Sequence, residues 1–145
     1  MGKAGAEVRR KGFAHERELA KRLYEEGFAV IRAPASGSKL KRIFYPDVVA
    51  IYKGKTLVFE VKAYSKLDYV YLEEEKIKRI VDFSERAGGR SFIAVKIIGS
   101  GEWRVIPVTE LERTKKGYYS LKISKIEKAQ LLEDLIKKVK SDVND

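Results

Sequence analysis

The sequence predicts a mixed α/β sandwich, in which a central sheet of about five strands is flanked by helices. Three observations carry that expectation. Helical and strand periodicities follow one another in the order αβββαββα. The second and third strands meet at a Lys53-Gly54 hairpin turn. The third strand, Thr-Leu-Val-Phe-Glu-Val-Lys-Ala-Tyr, is apolar enough to be central and covered on both faces.

Residues 15–26 read as a helix, because Leu19, Ala20, Leu23 and Tyr24 recur at helical spacing and Gly27 stops it. Residues 28–32 form a short strand. The stretch 34–45 has little periodicity, small residues at Ser36-Gly37-Ser38 and three basic residues, which predicts an exposed, mobile loop. Residues 47–52 and 56–64 are the strands of the hairpin. Residues 73–87 are a helix with Ile77, Ile80 and Val81 inward, ended by Gly88-Gly89. Strands over 91–98 and 103–108 are joined across 99–102. Residues 124–140 read as one charged helix with Ile126, Leu131, Leu135 and Val139 as its apolar stripe. A chain of 145 residues has room for one domain, expected over 1–145. It would carry a basic segment at 1–10 and a C-terminal segment, 109–145, ending in the charged helix.

Composition narrows the function. Lys and Arg number 31 against 21 Asp and Glu, a formal charge of +10. The first 42 residues hold eleven of these basic residues against five Glu, so more than half of the excess lies in under a third of the chain. Such an excess favours polyanions through counterion release, nucleic acid first and an acidic membrane surface second. The membrane ranks lower because the one Trp, Trp103, falls in a strand and not on a basic amphipathic helix. The absence of cysteine excludes a disulfide scaffold, a thiolate zinc site and a cysteine nucleophile, and suits a reducing interior. No apolar run approaches the ~20 residues of a membrane span, and no signal peptide is legible. A cytoplasmic, nucleoid-associated protein is expected.

Five charged residues break the apolar pattern. Strand alternation puts Glu60 and Lys62 on one face with Val58, where an uncompensated ion costs several kcal/mol. Asp47 opens the preceding strand after Pro46. Pairing outward from the turn sets Tyr52 near Thr56, Ala50 near Val58 and Val48 near Glu60, so Asp47 starts close to the level of Glu60. Two carboxylates at that separation repel, and a divalent cation between them relieves the repulsion. At about 100° per residue, Glu16 falls inside the stripe of Leu19, Ala20 and Leu23, facing the sheet, whereas Glu18 faces solvent. Read as structural features, Glu60–Lys62 is an ion pair, Asp47 a turn residue and Glu16 a favourable charge near a helix N-terminus. Lys96 interrupts an apolar row of Phe92, Ala94 and Ile98, either to snorkel to the sheet edge or to meet a phosphate. His15, the lone histidine, is surface or DNA-side.

Taken together, Pro46-Asp47 followed after twelve residues by Glu60-Val61-Lys62 resembles the PD-(D/E)xK nuclease motif. Longer runs are more specific. These are Lys11-Gly12-Phe13-Ala14-His15-Glu16-Arg17-Glu18-Leu19, Gly27-Phe28-Ala29-Val30-Ile31-Arg32, Ser36-Gly37-Ser38-Lys39 and Pro46-Asp47-Val48-Val49-Ala50. Phe83-Ser84-Glu85-Arg86-Ala87-Gly88-Gly89, Ala94-Val95-Lys96 and Trp103-Arg104-Val105-Ile106 follow. In order and spacing they resemble the archaeal Holliday junction resolvase family, over about residues 10–108. Beyond residue 108 no motif matches.

The resemblance implies a restriction-endonuclease-like fold, a homodimer and Mg²⁺-dependent, structure-selective nicking of four-way DNA junctions in recombination and repair, with Mn²⁺ as a substitute metal. By that correspondence Glu16, Asp47, Glu60 and Lys62 are the catalytic acids and lysine, and Ser38 lies beside them. Asp47, Glu60 and the Val61 carbonyl would hold the metal, with Glu16 completing its outer shell. Arg10, Lys11, Arg17, Arg32, Lys39, Lys41, Arg42 and Lys96 would bind phosphates, which gives affinity without sequence readout. Phe83, on the shoulder of its helix's apolar stripe, is the candidate dimer contact. Two rival readings are a repair or restriction-type nuclease of the same superfamily acting on other DNA, and a non-catalytic DNA-binding module.

Overall fold

The protein is described from a computed structural model over residues 2–33, 43–64, 69–114 and 116–144, with all their side chains except those of 2–12, 69 and 144. The chain opens with α1 (Gly2–Glu25), then β1 (Ala29–Arg32), β2 (Val48–Tyr52) and β3 (Lys55–Tyr64). Next come β4 (Tyr69–Glu73), α2 (Glu74–Ala87), β5 (Arg90–Ile97) and β6 (Trp103–Pro107). A 3₁₀ turn, Val108–Glu110, leads to β7 (Glu112–Arg113), β8 (Tyr118–Lys122), α3 (Ile123–Glu127), β9 (Gln130–Leu131) and α4 (Leu132–Asn144). None of the described helices is long and apolar enough to cross a membrane.

The central mixed sheet runs β1-β2-β3-β5-β6-β9. Only β3 and β5 pair in parallel; the crossover between them carries β4 and α2. All five expected strands are present, and the two-residue β9 makes a sixth. Two layers cover this sheet. Leu19 and Leu23 of α1 and Leu132, Leu135, Ile136 and Val139 of α4 pack on the face that carries Leu57, Phe59, Phe92 and Val105. Ile77 and Ile80 of α2, with Leu72, Leu121 and Ile126, pack on the face that carries Val58, Ile93, Val95 and Ile106. The near-continuous apolar reading of β3 reflects this double cover.

Four expectations are corrected. The hairpin register is one residue off: Tyr52 pairs with Lys55, Ala50 with Leu57 and Val48 with Phe59. Lys53 and Gly54 have φ of 44° and 87°, the paired positive angles of a type I′ turn, which closes on Lys55 with no residue to spare. Because side chains alternate faces, that shift matters. Continued by one residue, the true register sets Asp47 opposite Glu60 and on its face.

The second correction is the C-terminal helix, which is broken into α3, β9 and α4. Ile126 belongs to one face of the sheet and Leu135 and Val139 to the other, so a single helix cannot serve both. The chain passes round the edge of the sheet as β9, paired to β6. Third, α1 starts at Gly2, well before the expected residue 15, through a run of Lys, Ala, Glu and Arg that favours helix without marking an apolar stripe. Fourth, β4, β8 and β7 form a small second sheet that the element order did not anticipate. It supplies Leu72 and Leu121 to the core on the α2 side.

Candidate active site

The candidate site lies where β2 stops short of β3. β2 begins at Val48, so β3 beyond Phe59 has no ladder partner on that side among the described residues. The orphaned Val61 N–H donates instead to Asp47 Oδ2 at 2.8 Å, which pins the Asp47 carboxylate beside Glu60. Behind Asp47, its own carbonyl accepts from the Ala33 N–H at 3.0 Å and ties β1 to the same corner. Strand alternation turns Glu60 toward α2, where it is 1% exposed. Lys76 Nζ on α2 stands 2.9 Å from Glu60 Oε1, and Lys62 Nζ stands 3.9 Å from that same oxygen. Glu60 Oε2 is buried and has no hydrogen-bond partner among the described residues.

The electrostatics follow from crowding negative charge into a dry corner. Burial first, and the Asp47 charge second, push the Glu60 carboxyl up to about 8 against the pull of Lys76. Glu16, half-buried on α1, is pushed up to about 7 by burial and then by Asp47, while Arg32 and Lys76 pull it down. Burial alone would lower the Lys76 ammonium; Glu60 and Asp47 outweigh it and hold the group above its ordinary value. Asp47 is therefore the hinge of the set, felt by Glu16, Glu60 and Lys76 alike.

This donor set fits a divalent cation. Asp47 and Glu60 supply two carboxylates, the Val61 carbonyl follows Glu60 in the chain, and the unpartnered Glu60 Oε2 offers a hard oxygen with no other claimant. No three Asp, Glu, His or Cys side chains among the described residues close into a metal-binding cluster. Glu16 is coupled to Asp47 by charge and by a side-chain hydrogen bond.

The structure gathers Glu16, Asp47, Glu60 and Lys62, and adds Lys76, which sequence reasoning missed. Its signal was present. Lys76 precedes Ile80 by four residues and so rides on the same stripe of α2, the kind of anomaly that exposed Glu16 on α1.

The phosphate-binding candidates are scattered. Arg17 and Arg32 are exposed and, with Lys21, Tyr24 and Val30, line a shallow groove of about 290 Å³ beside the site. Arg10 and Lys11 fall on α1 where side chains are not described. Ser38, Lys39, Lys41 and Arg42 lie outside the described residues.

Lys96 is 14% exposed, paired with Glu18 and set over the Trp103 ring at 5.4 Å. Glu18 also accepts from Trp103 Nε1 at 3.1 Å. The expectation that Glu18 simply faces solvent is corrected: its side chain reaches β5 and β6 while remaining half exposed. Phe83 is half-buried against the core on the α2 side and lines, with Ile43 and Phe44, an outer groove of about 620 Å³.

Comparison with known proteins shows which family the chain resembles. A model of the archaeal Holliday junction resolvase (Hjc) family matches residues 7–143. The match runs through the C-terminal segment, where the motifs quoted above had stopped. A crossover junction endodeoxyribonuclease Hjc of Sulfurisphaera tokodaii is 38% identical over 134 residues, which span 92% of this chain and 91% of that relative. That of Sulfolobus acidocaldarius is 34% identical over 134 residues, 92% of each chain. The solved structure of Archaeoglobus fulgidus Hjc, a Holliday junction resolvase from an archaeal hyperthermophile, matches with a TM-score of 0.74 at 28% identity, covering 88% of this chain and 96% of that one. With a family model over residues 7–143 and relatives of 34–38% identity along most of its length, the chain belongs to the archaeal Holliday junction resolvase family.

Proposed function

We propose that this protein is a crossover junction endodeoxyribonuclease that nicks four-way DNA junctions symmetrically, acting as a homodimer with Mg²⁺ at the Asp47–Glu60 corner. The observation that carries the reading is the pair itself. Two carboxylates face each other across the end of a hairpin, one of them buried with an open oxygen. The raised Glu60 pKa and the Lys76 ammonium relieve part of this repulsion, and the open Oε2 leaves room for a cation to relieve the rest.

When bound there, a divalent cation activates water and polarises the scissile phosphate. The chain does the rest. Asp47, locked by the Val61 N–H, and Glu60 fix where the cation sits. Lys62 lies on the face of Glu60, placed to orient the attacking water or neutralise charge that develops on the phosphate. Glu16 raises the local negative charge from behind Asp47. Arg17 and Arg32, with Arg10, Lys11, Lys39, Lys41 and Arg42, hold the DNA backbone without reading bases. Ser38, outside the described residues, is assigned to the reaction by its correspondence to the family's Gly-Ser motif alone. The domain, 1–145, supplies one such site, so two symmetric nicks require two chains, and a closed two-fold dimer is the commonest arrangement. Phe83, with Ile43 and Phe44 in a groove otherwise lined by Glu75, Lys78, Arg79, Asp82 and Arg86, is the surface for that contact.

The test is cleavage of a four-way junction, a splayed arm and plain duplex by the purified protein, with and without Mg²⁺. Junction-selective, Mg²⁺-dependent cleavage is expected, and Asp47→Asn and Glu60→Gln are each expected to abolish it while junction binding persists. Cleavage of all three substrates alike would favour the repair-nuclease reading. Near wild-type cleavage by either variant would dismiss the site.

A further inference from the structure

Glu60 has two ammonium groups competing for one oxygen and none at the other. Lys76 is 2.9 Å from Oε1, a hydrogen-bonded ion pair, whereas Lys62 at 3.9 Å is outside hydrogen-bond range. We propose that Lys76 is the positioning residue of this site: it holds Glu60 by Oε1, which presents Oε2 to the cation and keeps Lys62 at a looser ion-pair distance, outside hydrogen-bond range and available to the substrate phosphate. The inference rests on the resolvase reading and assigns separate tasks to the two lysines.

Two further features support the division. Oε2 is buried with no hydrogen-bond partner among the described residues, although the Asp47 carboxyl stands close enough to act on Glu60. In addition, the two lysines reach Glu60 by different routes. Lys62 shares β3 with Glu60, two residues along an extended strand, about 6.5–7 Å away at the backbone. To pair closely it must fold back on its own strand, away from any substrate. Lys76 comes from α2, whose place is set by Ile77 and Ile80 packed against Val58 and Ile93. Its ammonium is delivered by core packing of a separate element and does not depend on DNA or metal. A single lysine could not hold Oε1 and reach a phosphate at once.

The experiment uses the metal-free, full-length protein with ¹⁵N-labelled lysine, observed by side-chain ammonium NMR, together with cleavage rates. A slowly exchanging ammonium signal is expected in the wild type and lost in Lys76→Met. In that variant the Lys62 ammonium is expected to become the protected one as it takes the vacated oxygen. Cleavage by Lys76→Met is expected to fall by about tenfold or more, with metal-free junction affinity changed by less than about twofold, and Lys76→Arg is expected to recover most of the rate.

Adding Lys76→Met to Lys62→Met is expected to lower the residual rate by less than Lys76→Met lowers the wild-type rate, because part of the role of Lys76 runs through Lys62. If Lys76→Met does not fold, Lys76→Gln serves in its place. An unchanged Lys62 signal, or losses that multiply in the double variant, would overturn the assignment. A wild-type protein that fails to cut junctions would instead defeat the functional reading, and the NMR result would still decide how the lysines pair.

Discussion

Asp47 Oδ2 accepts the Val61 N–H at 2.8 Å, so a side chain stands in for the strand partner that β3 loses where β2 begins. One bond thereby satisfies an orphaned backbone donor and fixes a carboxylate beside Glu60. Structure and charge are coupled at this corner, and the predictions below exploit that coupling.

The first concerns pH. Glu60 is raised to about 8 and Glu16 to about 7 in the folded protein, from ordinary values of 4.5. Between those limits the native state binds more protons than the unfolded chain. Stability from these groups is therefore full below about pH 4.5 and lost as pH rises through 7 to 8. Denaturant midpoints of metal-free protein are expected to fall between pH 5 and pH 8.5, and to fall less in Glu60→Gln. Equal slopes in the two proteins would contradict the assignment. Divalent cations are likewise expected to displace protons at pH 7, detected by calorimetry in buffers of different ionisation heat.

Glu16 and Glu18 sit two residues apart on α1 and serve different ends. Glu16→Gln removes a charge that acts on Asp47, and cleavage is expected to drop by at least about tenfold, the scale of a lost electrostatic contact at a reacting centre. Glu18→Gln keeps an amide oxygen for Trp103 Nε1 but removes the charge that pairs with Lys96. Its effect is expected in stability, about 1 kcal/mol, with cleavage per folded molecule close to wild type. Thermal melts and single-turnover rates on the same preparations separate the two. If both variants lose activity without loss of stability, the division is wrong.

Gly89 joins α2 to β5, and a Cβ there would lie 2.5 Å from the Thr56 backbone oxygen. Because the obstacle is backbone in the hairpin strand and not the tip of a flexible side chain, Gly89→Ala must push β5 from β3. A loss of about 1–3 kcal/mol is expected in equilibrium unfolding. An alanine variant as stable as the wild type would show that the strands part without strain.

Phe83→Glu places a charge in the groove lined by Ile43 and Phe44. A monomer that makes uncoupled single nicks, or none, is expected by sedimentation and by a cruciform-plasmid assay in which one-strand and two-strand cutting give different products. A variant that remains a dimer would move the interface elsewhere. A wild-type monomer that cuts both strands in concert would remove the need for one.

Much of this molecule was written locally. Alternation in β3, the helical spacing of Leu19 and Leu23 and the glycine stops at Gly27 and Gly88-Gly89 are near-neighbour patterns, and the central sheet with its helices could be read from them. Glu16, Asp47 and Glu60 were legible because a carboxylate in an apolar row is conspicuous wherever the row leads. What tertiary structure decided was everything that depends on which face a residue meets. A type I′ turn set the register by one residue and so brought Asp47 onto the face of Glu60. The division of the C-terminal helix followed from Ile126 and Leu135 being needed on opposite faces of the sheet, which no periodicity records. Lys76 entered the site because the crossover between β3 and β5 lays α2 over Glu60, and a contact between residues sixteen apart has no local signature. Periodicity reports burial along one element; only the packing of several elements chooses partners.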